Sequence, residues 1–192
     1  MPTPSAFAHN LAALAEQQHT AYQHLPETSS PLSRQIKKYW KDLGYTFPGV
    51  QEAWSAVFVS WCVKTAGATR QEFDFNPQHS VFVHWAIQNA INQTGLFRAY
   101  ELTACAPQLG DIIHNNRPGL NYDYNYARAH ANYPSHSAIV TEIGNDGAGH
   151  YLMTIGGNEG DAIRMTRHAL TPEGLIVQRQ IRPFICVIQD LK

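Results

Sequence analysis

The chain has 192 residues, 44% of them hydrophobic and 11% aromatic, with 14 Lys and Arg set against 15 Asp and Glu. A chain this long buries roughly 70% of its unfolded surface around one core. The near-neutral charge excludes the clustered basic surface that nucleic-acid binding draws on, and the apolar content excludes a disordered chain. No apolar run nears the roughly 20 residues of a bilayer span, because Ser60 and Lys64 interrupt the longest one, around Ala56 to Val63. A soluble protein that contacts neither membrane nor nucleic acid is expected.

In chain order, residues 5 to 24 place Phe7, Leu11, Leu14 and Ala15 at helical spacing, with Ser5 as N-cap and Pro26 as a stop. Residues 31 to 43 open on Ser30 and Pro31, align Ile36, Tyr39, Trp40 and Leu43, and stop at Gly44. Residues 52 to 66 are apolar nearly all round, which predicts a buried central helix. A fourth helix is predicted from Pro77 to Asn92, capped by Asn76. Beyond Gly95 short β-branched runs take over, at 111 to 114, 137 to 143, 150 to 155, 175 to 178 and 184 to 188. The segment 144 to 149, GNDGAG, reads as a hairpin turn between two of them. Helices followed by strands give an α+β fold with a mostly antiparallel sheet. Residues 115 to 134 lack apolar periodicity and read as a long functional loop or lid.

Cys62, Cys105 and Cys186 cannot all pair and lack zinc or redox spacing, so they are expected as reduced core thiols. The opening MPTPSAFAHNLAALAEQQ has no early basic residue, and polar residues break its apolar positions. No secretory signal is read there, and folding in the cytoplasm is expected.

Three positions could carry chemistry. Ser55 falls in the first turn of the buried helix, where free amides and the helix dipole favour developing negative charge. A serine there is, taken alone, more often a simple cap. His136 opens a strand after the long loop and can reach another layer, although a single histidine among ten is more often structural. Asn158 follows two glycines that let the chain turn sharply, which would let it orient an imidazole or merely form the turn. Tyr122, Tyr124, Tyr126 and Tyr133 offer flat amphipathic surface for a peptide or glycan-peptide, or else pack on one another. Ligation of zinc by His79, His114, His136 and Asp111 is not supported by any HExxH-like spacing, and neither metal nor cofactor is expected.

The ordered motifs AWSAVFVSWCVKTAG, QHSVFVHWAI, APQLGDII, SHSAIV and IGGNEGDAI, over residues 52 to 188, resemble the papain-like cell-wall amidases and peptidases of the CHAP and NlpC type. The resemblance implies a papain-like domain over residues 49 to 192, with residues 1 to 48 as a helical extension packed on it. It implies a nucleophile at Ser55, a base at His136 and an orienting amide at Asn158. His79 and Asp111 match motif positions, and with Trp54 and Tyr133 they are expected at the binding surface. The departure is at the nucleophile, since a serine cannot ionise as a cysteine thiol does and must give its proton to a base during attack. Three meanings stay open: a working serine hydrolase, a binding module that kept the cleft, or a serine put in place of cysteine. The implied activity is cleavage of an amide bond in peptidoglycan stem peptides, with an esterase or acyltransferase, or a peptidoglycan- or protein-binding module, as alternatives. A cell-wall fold without a leader further implies an antibacterial effector delivered into a target cell's periplasm, with an immunity protein or the secretion apparatus as partner.

Overall fold

The computed structural model describes residues 3–192. Four helices come first: α1 (Ala6–Tyr22), α2 (Ser30–Asp42), α3 (Ser55–Thr65) and α4 (His79–Asn92). Then follow β1 (Phe97–Tyr100), β2 (Ile112–Asn116), the short α5 (Tyr124–Ala129), β3 (Ser135–Asp146), β4 (Gly149–Gly156), β5 (Arg164–Ala169) and β6 (Phe184–Asp190). Local chemistry sets the helix ends. Ser5 accepts from the Ala8 amide at 3.0 Å to start α1, Pro31 sits in the first turn of α2, and Gly44 past its end takes φ +85°, open to glycine at little cost.

The strands form one sheet in the order β1-β6-β2-β3-β4-β5, and its neighbouring strands run antiparallel. The fold is therefore α+β, with helices packed against an antiparallel sheet. Helices α1 and α3 lie on β3 and β4, α4 lies on β1, α2 packs on α3, and α5 packs on α4. The helix-side core gathers Leu11, Ile36, Tyr39, Phe58, Phe73 and Ile139, so α1 and α2 share one apolar cluster with α3 and the sheet. A smaller cluster on the other face joins Ile113, Val140, Leu152, Ile176 and Val187. Among the described residues no helix is long and apolar enough to cross a membrane.

The strand reading needs three corrections. LIVQ (175 to 178) is not a strand; it meets its neighbour only through a single bridge, Leu170 to Ile176. Ile176 instead joins the smaller core from a loop, while Val177 is exposed. Two strands lie outside the predicted set, the four-residue β1 and the polar, largely exposed edge strand β5, neither of which carries the apolar run that marks a buried strand. The segment 115 to 134 is also not one irregular loop, since β2 runs into it and α5 forms within it, started by Asp123 accepting from the Tyr126 amide at 2.8 Å.

Candidate functional site

Two helix starts face each other at the site. Ser55 is the first residue of α3 and His79 the first of α4. Ser55 Oγ lies 2.7 Å from His79 Nε2, a buried hydrogen bond between two side chains that are 1% and 5% exposed. Burial pushes the His79 imidazole well below its usual range, and His136, His114 and Arg117 push it in the same direction. The ring is therefore neutral near pH 7, with Nε2 beside the Ser55 hydroxyl. Its other nitrogen, Nδ1, is buried with no hydrogen-bond partner.

The second half of the site comes from the sheet. His136 lies at the start of β3, and its Nε2 is 2.8 Å from Glu159 Oε1. Burial alone would raise the Glu159 carboxyl, but the hydrogen bond from His136 and the nearby His168 and Arg182 outweigh it and hold the group below its ordinary value. The His79 and His136 rings meet edge to face with centroids 5.2 Å apart. One cluster thus holds a hydroxyl, two imidazoles and a carboxylate. A groove of about 460 Å³ opens onto it, lined by Ala53, Ser55, His79, Arg117, Tyr133 and Ser135 among others.

The expected partners are exchanged. Ser55 bonds His79 rather than His136, and His136 bonds Glu159 rather than Asn158. The pleat of β3 accounts for the first exchange: Ile139 enters the helix-side core and Val140 the other one, and His136 shares the phase of Val140. It lines a cleft with Ala138 and Thr154 and touches the helix layer at His79. The turn after β4 accounts for the second exchange. Asn158 takes the left-handed conformation, φ +57°, and its Nδ2 donates to Glu27 Oε2 at 2.8 Å, so the next residue reaches the imidazole.

The other expected binding residues are also placed. Trp54 is fully buried, offers no surface to a ligand, and donates Nε1 to Glu27 Oε2 at 2.8 Å. Asp111 is buried away from the groove, accepting from the amides of Gln108 and Asp190 at 2.7 and 2.9 Å. Burial lifts its carboxyl to about 7 despite those two bonds. Tyr133 does line the groove, and its hydroxyl sits 3.1 Å from His114 Nε2. The Tyr-rich segment packs on its own rings: Tyr122 and Tyr126 stack at 4.2 Å, and both meet Tyr133 edge-on. All three cysteines are free and buried. Among the described residues no group of three or more His, Cys, Asp or Glu is placed to hold a metal ion.

A family model described as an uncharacterized protein conserved in bacteria, DUF2272, matches residues 14–185. The chain belongs to that family. No curated protein matches it, and no solved structure matches it.

Two residues of this DUF2272 chain escape sequence reasoning. Glu159 stands one position past the expected Asn158, and its signal was the acidic side chain in GGNEG. Glu27 joins the two halves of the site from the α1–α2 connection: its Oε2 accepts from Trp54 and Asn158, each the residue before a site residue, and its amide donates to Asp161 O at 2.8 Å. No local pattern announces a contact across 131 positions. The glycines are legible in hindsight. A Cβ on Gly157 would stand 2.6 Å from the Trp54 ring, and one on Gly156 would stand 2.2 Å from Glu159 Oε1.

Proposed function

We propose that this protein is an amidase or endopeptidase with a papain-like arrangement, opening an amide bond in peptidoglycan stem peptides with Ser55 as nucleophile. The observation that carries the reading is the 2.7 Å bond between a hydroxyl at a helix start and an imidazole kept neutral by burial. Ser55 Oγ attacks the carbonyl carbon while His79 Nε2 takes its proton. The oxygen that gains charge faces the first-turn amides of α3, which supply the donors such an intermediate needs. His79 then returns the proton to the departing amine, and water cleaves the resulting ester by the same route in reverse. Glu159 holds His136, whose ring meets His79 edge to face and packs the base in place. A nucleophile at a helix start and a histidine opening β3 followed by a polar partner after β4 support the papain-like assignment, while the base drawn from the start of α4 departs from it.

The test is incubation of the purified protein with sacculi, followed by measurement of new amino groups. Release that disappears in Ser55→Ala supports the enzyme; intact muropeptides in an active-site-intact preparation overturn it. The effector setting is part of the same proposal and predicts lysis when the chain is directed to a bacterial periplasm, but none for Ser55→Ala. A second reading, a binding module without turnover, draws on the 1% exposure of Ser55 and the unpartnered His79 Nδ1. It predicts pelleting with sacculi and no new amino groups.

A further inference from the structure

Beyond the His136–Glu159 pair, three guanidinium groups gather around two adjoining clefts. Arg117 and Arg182 line the first, of about 100 Å³, together with Asn115 and Asn158. The second, of about 60 Å³, shares His136, Glu159 and Arg182 with it and adds Arg179 and His168. The one carboxylate lining either cleft is Glu159, and its Oε1 is occupied by His136. In a chain with net charge −1, three guanidinium groups against this one carboxylate leave a net positive charge at this point.

The clefts are built rather than incidental. Arg117 Nε donates to Ser135 O at 3.1 Å, which fixes the side chain and leaves its other nitrogens to the cleft. Arg179 lies over the Phe184 ring at 4.2 Å and donates Nε to Arg182 O at 2.8 Å. Arg182 itself takes the left-handed conformation, φ +54°, which is strained for a side chain of this size and held only where surroundings enforce it. Here Asn116 enforces it, donating both its amide and Nδ2 to Pro183 O at 2.9 and 3.0 Å. Among the described residues the Arg182 guanidinium forms no hydrogen bond or ion pair. Like-charge crowding is visible in the neighbours: burial and Arg182 push Arg179 down, and burial with Arg179 brings His168 to about 4.

We propose that these clefts form a carboxylate-binding subsite, in which Arg117, Arg179 and Arg182 hold a free carboxylate of the substrate next to the bond that Ser55 attacks. Arg117 lines both the Ser55 groove and the first cleft, so the anion is held close to the reacting carbonyl. Guanidinium groups suit a carboxylate because their paired N–H donors match its two oxygens. This subsite deepens the peptidase reading by naming what the substrate must carry, and its test does not depend on turnover.

The probes are the tetrapeptide L-Ala-γ-D-Glu-L-Lys-D-Ala with both carboxyls free and the same peptide with both as carboxamides. Binding is measured by calorimetry on Ser55→Ala, and cleavage by amine release on the native chain. The free acid is expected to bind at least about tenfold more tightly than the diamide. Arg182→Gln and Arg117→Gln should each narrow that gap to less than about threefold, and raised salt should weaken the acid selectively. Equal binding of the two peptides, or a gap that survives both substitutions in folded protein, overturns the subsite. Arginine-dependent binding without cleavage by the native chain keeps the subsite and sinks the peptidase reading. Cleavage indifferent to amidation does the reverse.

Discussion

The helix side and the sheet side of the site solve opposite halves of one problem. On the helix side, Ser55 and His79 are almost completely buried and closely bonded, but the imidazole has no orienting acceptor on Nδ1. On the sheet side, His136 has its carboxylate, and both side chains are partly exposed, at 15% and 18%. A nucleophile is usually activated by a base that a third group orients. Here the imidazole that bonds the Ser55 hydroxyl and the imidazole that holds a carboxylate are two different histidines in ring contact. The comparison teaches that a hydrogen-bonded polar cluster can be divided between layers of a fold, each layer supplying what its own packing allows.

The sharpest way to break this comparison is to remove each member in turn. Ser55→Ala should lower the rate of amine release by about 10³-fold or more while leaving the thermal transition in place. His79→Gln should cost about 10²- to 10⁴-fold in kcat, the range for a lost general base, and Glu159→Gln less than His79→Gln. Should His136→Gln prove the more damaging histidine change, the base belongs on the sheet side and the division proposed here is wrong.

The two sides also sit among groups with opposed pH responses. Burial first, then neighbouring cations, depresses His79 well below its usual range and brings His168 to about 4 from 6.5; burial with His136 brings His114 to about 3. The folded chain holds fewer protons at these rings than the unfolded chain does. The stability they contribute is therefore present above pH 6.5 and lost as pH falls toward 4 and 3. Burial raises Asp111 to about 7 and Asp190 to about 6 from 3.8, so their contribution is full below pH 3.8 and lost as pH rises through 6 to 7. His114→Gln should make the acid loss between pH 6 and pH 4 shallower by about 1.4 kcal/mol per pH unit, read from urea unfolding at each pH.

Smaller effects test the joint between the sides. Glu27→Ala leaves the buried Trp54 indole N–H without its acceptor and should cost about 1–3 kcal/mol in unfolding free energy. Glu27→Gln keeps an oxygen for the same donors and should cost less. Gly157→Ala forces a methyl against Trp54 and Phe58 and should cost about 1–3 kcal/mol.

The sequence made the first three helices legible to their ends, since Ser5, Pro31, Gly44 and the apolar run after Ser55 all mark real boundaries, whereas α4 starts at His79 behind Gln78 rather than at Pro77 capped by Asn76. The edge strands were not legible. RMTRHA in β5 has one neighbour and faces water, so nothing selects for apolar residues there. Among the candidate residues, Ser55 was readable from its helix start. The partner of His136 was not, since the left-handed turn at Asn158 decides whether 158 or 159 faces the ring. Likewise, a strand's period is readable but its phase relative to the layers is not, and phase is what handed the hydroxyl to His79.

The link through Glu27 makes the connection between the first two helices a point of vulnerability. A protease nick between Gln23 and Ser29 would leave the core clasped by its apolar contacts yet cut the tether that aligns the two halves. Limited digestion would then yield a chain that still migrates as a folded particle while Glu27, the acceptor shared by Trp54 and Asn158, is anchored from one side alone.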